Sequence, residues 1–231
     1  MSGRSPRWFT GIQYPYEANF ADNTWAQVIA ACQKKIIPTT WKVGDQKAMT
    51  IGSTDYLVDI IGINHDDYSD GSGKAPFTFQ LHDCYGELKN MNSSRTNNGG
   101  WTSCVMRQTH LPAILSKMPT EVRNNIREVN KLTSAGNQSA TINTTADKLF
   151  LLSEIEIFGS VRFSVSGEGT QYDYYKAGNS KVKNYNGNAY TWWERSPHGL
   201  TYSGFCDVNS DGNSDGYGAS DLKGVAFAFC F

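Results

Sequence analysis

The sequence lacks the features that mark nucleic-acid-binding, membrane and secreted proteins. Its charges nearly cancel, with 21 lysines and arginines against 22 aspartates and glutamates in 231 residues, and they form no basic stripe. A nucleic-acid partner is therefore not expected, because such proteins need clustered positive charge to contact phosphates. No apolar run approaches the roughly 18 residues of a membrane span, and the N-terminal MSGRSPRWFTG has no apolar signal-peptide segment. We expect a chain that folds in the cytoplasm and has no membrane span.

Cysteine pairs and cysteine motifs are also lacking. The cysteines are odd in number, widely separated and without a CxxC motif: Cys32, Cys84, Cys104, Cys206 and Cys230. This pattern disfavours both a zinc site and a dense disulfide framework, so buried free thiols are the simplest interpretation. Cys206 and Cys230 remain a candidate pair if their strands are neighbours, since geometry decides whether two sulfurs can bond.

No catalytic motif is present. The sequence has no GxSxG, no HExxH and no recognisable Cys–His pair, and its four histidines fall in different segments. If residues 149–158 form a strand, Glu154 and Glu156 share one face and resemble the carboxylate pair of a glycosidase. We favour a structural role, in which one carboxylate holds the N–H groups of a loop and the other lies on the surface. The sequence therefore predicts no catalytic residue.

What the sequence has instead is abundant aromatic residues and glycine. Aromatics make up 13% and charged residues only 19%, with 22 glycines, which favours a loop-rich fold with many strands over a helix bundle. The spacing of apolar residues predicts helices over 25–32, 111–118 and 119–129. The clearest predicted strands are 56–63, 77–81 and 149–158, and a loop or short hairpin is expected at 131–145. Residues 1–23 are expected to be an extended arm or linker.

The most informative stretch is the C-terminal one, from Trp192 to Phe231. Apolar, β-prone segments at 192–193, 205–208 and 224–231 alternate with two segments, 198–203 and 209–223, in which turn and loop residues predominate. Tyrosine offers a large contact area at low entropic cost, and Ser, Asn and Gly offer adaptable hydrogen bonds. Polar loops with tyrosines on a rigid support are typical of a recognition surface.

Two acidic segments resemble metal-binding loops only in part. Residues 64–73 carry a histidine and three aspartates, but their spacing is not that of an EF-hand. Asp207, Asn209 and Asp211 begin like a calcium loop, but its twelfth position is Gly218 rather than a bidentate acid. We expect solvated turns in both places, with weak calcium binding at Asp207, Asn209 and Asp211 as the alternative and no other cofactor.

Arg195, which lies close to Trp193 in this C-terminal stretch, is expected to have a structural role. We expect its side chain to be half-buried and to pair with a carboxylate such as Glu154, stabilising the last strands.

A resemblance to a known family covers nearly everything from about Trp25 to Phe231. It is carried, in order, by NHD at 64–66, DGSGKA at 70–75, MNSS at 91–94, GGW at 99–101, DKLFLLSE at 147–154, GEGTQY at 167–172, WWERSP at 192–197 and GV…FC at 224–230. The chain resembles the domain-of-unknown-function family numbered six-two-seven-three, which is common in prophages and in genomes of gut bacteria. The family's name establishes no function.

The C-terminal third is also similar to the variable proteins of diversity-generating retroelements, which have a C-type-lectin-like fold. In those proteins a mutagenic reverse transcriptase rewrites codons at adenines, which favours Asn, Tyr, Ser and Asp at the rewritten positions. The resemblance implies a fixed structural frame of Trp192, Trp193, Arg195, Ser196, Pro197, Gly204, Phe205, Gly224, Val225 and Phe229. It implies ligand-binding positions at His198, Leu200, Tyr202, Asp207, Asn209, Asn213, Asp215, Tyr217, Asp221 and Leu222.

Together the resemblances imply one loop-rich α+β domain of C-type-lectin-like type over residues 24–231. Two helices would flank small antiparallel sheets, and the variable-type region, about 192–231, would present the binding loops. The implied function is that of a phage tail receptor-binding protein or surface adhesin, on a virion or cell surface. Its partner would be a bacterial surface protein or glycan, and a homo-oligomer is expected by analogy.

Two other functions stay open at this point. One is an enzyme similar to the formylglycine-generating oxidases, which share the lectin-like fold and use a cysteine pair, here Cys206 and Cys230. The other is a structural virion component without a ligand of its own.

Overall fold

The computed structural model describes residues 16–231, which form an α+β structure of short helices and small antiparallel sheets. The helices are α1 (Trp25–Lys34), α2 (Gly100–Ser103), α3 (Leu111–Lys117), α4 (Thr120–Asn125), α5 (Glu154–Phe158) and α6 (Asp173–Lys176), with a 3-10 helix at Phe20–Asp22 and a π-helix at Met106–His110. The strands are β1 (Gln46–Ile51), β2 (Thr54–Ile63), β3 (Phe77–Leu81), β4 (Val129–Ser134), β5 (Ile142–Asp147), β6 (Lys183–Tyr185), β7 (Asn188–Tyr190), β8 (Trp192–Pro197), β9 (Gly204–Val208), β10 (Ser214–Gly218) and β11 (Ala228–Cys230). The predicted fold class, α+β, is confirmed.

The largest sheet joins the two ends of the described chain. Its strand order is β1-β2-β3-β11, and β11 pairs antiparallel with β3 so that Phe229 faces Phe79 across the strands. These two rings stack with centroids 5.3 Å apart, and the Trp25 ring packs edge-on against Phe79 at 5.8 Å. Aromatic contacts of this kind bury large apolar areas, so they hold α1 and the C-terminal strand on the same core.

A second sheet, of order β10-β9-β8, contains most of the C-terminal region. Every residue of β8 and β9 is buried, whereas β10 forms one edge and is largely accessible. Segment 198–203 is the predicted loop between β8 and β9. Segment 209–223 is not the continuous loop that we predicted, because residues 214–218 pair with β9 as β10.

The local predictions are confirmed for three helices and one hairpin. Helix α1 begins at a capping box in which Thr24 accepts from the Gln27 N–H, and α3 and α4 follow at the predicted places. Residues 129–147 form the β4–β5 hairpin, so Val129 lies in a strand rather than in the preceding helix.

The predicted strand at 149–158 is wrong: Phe150 forms only an isolated bridge with Ala228, and residues 154–158 are helical. Ser153 and Glu156 form a capping box at the start of α5, and Gly159 closes that helix in the left-handed conformation. A short apolar run does not distinguish a buried strand from a buried helix, and here the capping residues decide in favour of the helix.

Residues 1–15 of the predicted N-terminal arm lie outside the described residues, and residues 16–23 pack against the core. The Phe20 ring is buried with its centroid 5.2 Å from Trp41, and the Asn23 side chain donates to the carbonyls of residues 17 and 19. This part of the predicted arm is therefore anchored on the sheet. From residue 16 onward, no helix combines the length and the apolarity that crossing a bilayer requires.

Candidate recognition surface

The C-terminal surface, defined here as segments 198–203 and 209–223, exposes large apolar side chains. Leu200 is 69% exposed, Tyr202 59%, Leu222 57% and Tyr217 41%. The Tyr217 ring is also covered by the Lys223 ammonium, 3.3 Å from its centroid. These four side chains lie in loop 198–203, in β10 and just after β10, and the Ala219 N–H donates to the Ser203 carbonyl at 2.8 Å where these segments meet. Exposed leucines and tyrosines are typical of a site that contacts another molecule.

Most of the predicted ligand-binding positions are solvent-accessible. Besides the four side chains just described, five predicted positions are partly or fully exposed: His198, Asn209, Asn213, Asp215 and Asp221. The predicted frame residues, by contrast, are all buried: Trp192, Trp193, Arg195, Ser196, Pro197, Gly204, Phe205, Gly224, Val225 and Phe229. The region therefore consists of a buried support and an accessible outer layer.

The backbone of loop 198–203 is held mainly by residues outside it. The buried Asn97 amide donates to the carbonyl oxygens of Thr201 at 2.9 Å and Gly204 at 2.8 Å, and the Asn97 N–H donates to the Tyr202 carbonyl at 2.9 Å. On the other side, the Gly199 N–H donates to the Phe163 carbonyl at 2.7 Å. Within the loop, the His198 ring also accepts the Leu200 N–H at 3.2 Å. Since the other contacts use main-chain atoms of the loop, the side chains of Leu200 and Tyr202 are not needed to keep its shape.

The Asn97 side chain gives a testable prediction. We expect Asn97→Ala to cost about 1–3 kcal/mol of unfolding free energy, because it leaves buried carbonyls without donors. Amide hydrogen exchange should become faster at Gly199 and Thr201, while the β2–β3 pairing stays protected. Asn98→Ala is the matched control, because that neighbouring residue is exposed. Unchanged exchange in the loop would show that Asn97 does not hold it.

Glu154 fixes a second segment beside this loop. Its buried carboxylate accepts the N–H groups of Arg162 at 3.0 Å and Ser164 at 2.8 Å, and it also accepts the Ser214 hydroxyl of β10. Burial acts to raise the pKa of Glu154, but the hydroxyl and N–H donors outweigh it and the net pKa is lowered. The predicted structural role of one carboxylate, holding the N–H groups of a loop, is confirmed for Glu154.

Asp207 is a correction to the predicted ligand-binding positions. It lies fully buried in β9, and neither carboxyl oxygen has a hydrogen-bond partner within residues 16–231. Burial, followed by the negative charge of Asp215, raises the pKa of Asp207 to about 8. A strand buried along its whole length turns this side chain away from solvent, so it cannot contact a ligand at the surface.

The predicted calcium ligands Asp207, Asn209 and Asp211 do not form a calcium loop. Asp207 is withdrawn from solvent, and the Asn209 side-chain oxygen accepts the N–H groups of Asp211 and Asn213, both at 3.0 Å. The segment is thus a turn closed by its own asparagine, as in the solvated-turn interpretation. In the described part of the chain, no group of three or more His, Cys, Asp or Glu side chains has the geometry to hold a metal ion.

Arg195 is fully buried, and its carboxylate partner is Glu156. The guanidinium donates to Glu156 Oε1 at 2.9 Å and to the carbonyl oxygens of Leu151 at 2.9 Å and Glu168 at 2.8 Å. Our predictions of a half-buried Arg195, of Glu154 as its partner and of a surface position for the second carboxylate were therefore wrong. Because α5 is a helix, Glu154 and Glu156 point to different neighbours.

Further buried ionic contacts extend from this pair. Lys131 Nζ lies 2.8 Å from Glu156 Oε1 and 2.7 Å from Asp66 Oδ1, and the Tyr172 hydroxyl donates to Asp66 Oδ2 at 2.8 Å. We call Asp66, Lys131, Glu156, Tyr172 and Arg195 the polar frame. Burial acts to raise the pKa of Asp66, but Lys131 outweighs it and holds that pKa at about 2. Sequence reasoning missed Lys131 and Tyr172, whose partners lie far along the chain.

A glycine makes room for the polar frame. Gly169 adopts a φ of +123°, and a Cβ atom at that position would lie 2.9 Å from Glu156 Oε1. Glycine tolerates both the conformation and the close approach, which explains its place in the GEGTQY motif.

The cysteines of the structure are free and buried. Cys206 lies in β9 and Cys230 in β11, which belong to different sheets, and neither forms a disulfide. Burial raises the pKa of both thiols well above the usual range, so they are held in the protonated form. The prediction of buried free thiols is confirmed.

These features define an α+β domain in which a buried polar frame supports an accessible C-terminal surface. Residues 72–231 match the family described as a domain of unknown function (DUF6273), and the chain belongs to that family. Strands β1 and β2 precede the matched region but share its largest sheet. Neither a search of curated proteins nor a search of solved structures gave a match.

Proposed function

We propose that this protein is a ligand-binding protein that uses the C-terminal surface to recognise a bacterial surface protein or glycan. It would act as a phage tail receptor-binding protein or surface adhesin, and its fold would be C-type-lectin-like. The observation that supports this most directly is the exposure of Leu200, Tyr202 and Leu222. Asn97 holds the loop that carries Leu200 and Tyr202, and main-chain bonds between Lys89 and Lys223 hold the backbone next to Leu222.

This arrangement also suits a diversified protein, and we propose that the chain is a variable protein of a diversity-generating retroelement. Substituting an exposed side chain that makes few contacts usually changes stability by less than about 0.5 kcal/mol. A surface of such side chains can change its specificity while the fold remains stable. Asp207 would not take part, because a change there alters the core.

A binding experiment separates recognition from folding. We expect the triple variant Leu200→Ser/Tyr202→Ser/Leu222→Ser to lose binding to cells of the bacterium that carries the target, measured by flow cytometry with labelled protein. Its denaturation midpoint should stay close to that of the unchanged protein. The control Ile36→Ser/Leu57→Ser removes exposed apolar side chains, 43% and 45% exposed, outside the C-terminal surface and should keep full binding. Equal binding by both variants would refute the proposed surface.

Sequencing tests the diversification. We would determine this gene and its flanks in many isolates from one source population. Substitutions clustered at adenines within the codons for residues 198–223, with a near-copy of the segment and a reverse transcriptase gene nearby, are the expected result. If the segment is identical in all isolates and no near-copy of it is found, the chain is not diversified. It would then bind one fixed ligand or be a structural component.

A further inference from the structure

The centre of the polar frame brings an amine into contact with a carboxyl group in the protein interior. Lys131 on β4 and Asp66 in the segment after β2 each have a side chain that is only 2% exposed, and Lys131 Nζ lies 2.7 Å from Asp66 Oδ1. The Phe150 ring lies beside the same nitrogen, with its centroid 4.3 Å away. Holding two groups that can condense in direct contact raises their effective concentration far above any value in solution.

The groups around this pair lie within proton-transfer and hydrogen-bonding distance of it. Glu156 Oε1 lies 2.8 Å from Lys131 Nζ, where it can accept and return a proton. Hydroxyl groups of Thr78 and Tyr172 donate to Asp66 Oδ2, the Tyr172 bond being 2.8 Å long. Donors at this oxygen would stabilise the negative charge that develops when a nucleophile adds to the carboxyl carbon.

We propose that Lys131 and Asp66 form an intramolecular amide bond, an isopeptide cross-link. The reaction begins with transfer of a proton from the Lys131 ammonium to the Asp66 carboxylate oxygen that it contacts. The neutral amine then adds to Asp66 Cγ, forming the C–N bond, and Glu156 carries a second proton from nitrogen to the departing oxygen. The C–O bond breaks and one water leaves, so an ammonium and a carboxylate become an amide and water, with no oxidant or reductant.

The surroundings favour the product in two ways. The amide removes two opposite charges from the interior, where each is costly to bury. A cleft of about 280 Å³ opens over Asp66, Lys131 and Glu156, between His65 and Thr170, and gives the water a route to solvent. The bond would tie β4 to the segment after β2 in a protein whose cysteines form no disulfide.

Intact mass spectrometry of the purified, denatured full-length chain tests the proposal. We expect a mass lower than that of the sequence by one water, and a proteolytic fragment in which the peptide containing Asp66 is joined to the peptide containing Lys131. Trypsin should fail to cut after Lys131 in that fragment. The full sequence mass after prolonged incubation at neutral pH would overturn the proposal.

A second dehydration product has to be distinguished. Succinimides at Asp70–Gly71, Asp211–Gly212 or Asp215–Gly216 also lower the mass by one water, but hydroxylamine cleaves them and leaves an isopeptide intact. Lys131→Arg keeps the positive charge, but its guanidinium stays protonated and cannot add to the carboxyl carbon, so this variant should have the full mass. A mass deficit that persists in Lys131→Arg would refute the cross-link. If this variant does not fold, the fragment map of the unchanged protein decides alone.

Discussion

Arg195→Ala is expected to destabilise the protein by about 3–5 kcal/mol, because it leaves Glu156 as a buried carboxylate without its main partner. The substitution also removes the donors to the carbonyl oxygens of Leu151 and Glu168. A loss of this size is a large fraction of the total stability of a typical domain. We expect the purified variant to be partly unfolded at room temperature, as measured by circular dichroism during denaturant titration.

The partner of Arg195 can be identified by double-mutant cycles. Arg195→Ala combined with Glu156→Gln should be less destabilising than the sum of the two single changes, because Glu156→Gln removes the buried negative charge that Arg195→Ala leaves unpaired. Arg195→Ala combined with Glu154→Gln should be additive to within about 0.5 kcal/mol, since Glu154 serves loop 162–164. Arg162→Ala is the control for loss of an exposed arginine. If Arg195→Ala had the same denaturation midpoint as the unchanged protein, the proposed structural role of Arg195 would be disproved.

The second large effect is an unusual dependence of stability on pH. Three buried carboxyl groups have raised pKa values, each chiefly because of burial. Asp207 has a pKa of about 8 and Glu168 of about 7, and the pKa of Glu194 lies well above its usual range. Both Glu194 oxygens lack a hydrogen-bond partner among residues 16–231, and the charges of Glu154 and Asp207 disfavour its ionised form further.

The sign of the effect follows from proton binding. In the unfolded chain these groups have pKa values of about 4, and in the folded protein their pKa values are higher. At a pH between the two values, each group is protonated in the folded state and ionised in the unfolded state. The folded state then binds more protons, so each group lowers the unfolding free energy by about 1.4 kcal/mol for every pH unit of increase. Asp66, Glu154 and Glu156 have lowered pKa values, so the stability that they contribute is lost as the pH falls below about 4.

We therefore expect maximal stability near pH 4–5 and a steady fall of the denaturation midpoint from pH 5 to pH 8. Glu194→Gln resembles the protonated acid, so it should raise the midpoint at pH 8, leave it nearly unchanged at pH 5 and flatten the slope. Glu121→Gln, which changes an exposed glutamate, should leave the slope unaltered. A midpoint independent of pH in the unchanged protein would show that Glu194 and Asp207 are not held protonated.

Part of the structure was predictable because its signals are local. Apolar spacing and the Thr24 cap specify α1, a run of apolar residues specifies β2, and alternating apolar residues specify β3. At residues 149–158 the Ser153–Glu156 capping box was a signal for α5, but the apolar run before it favoured a strand. The motifs spread through the chain identified the family, and the match over residues 72–231 confirms it.

By itself, the sequence determined the fold class, the family, elements such as α1, β2 and β3, and the position of an accessible loop before β9. Only the tertiary structure decided which carboxylate pairs with Arg195, that Asp207 faces the core, and that Asn97 holds a loop about a hundred residues away in the chain. Capping and periodicity act between residues a few positions apart, so they are readable along the chain. Buried charges and unpaired carbonyls are satisfied by whichever group the fold brings within about 3 Å, and that distance is set only when the sheets assemble.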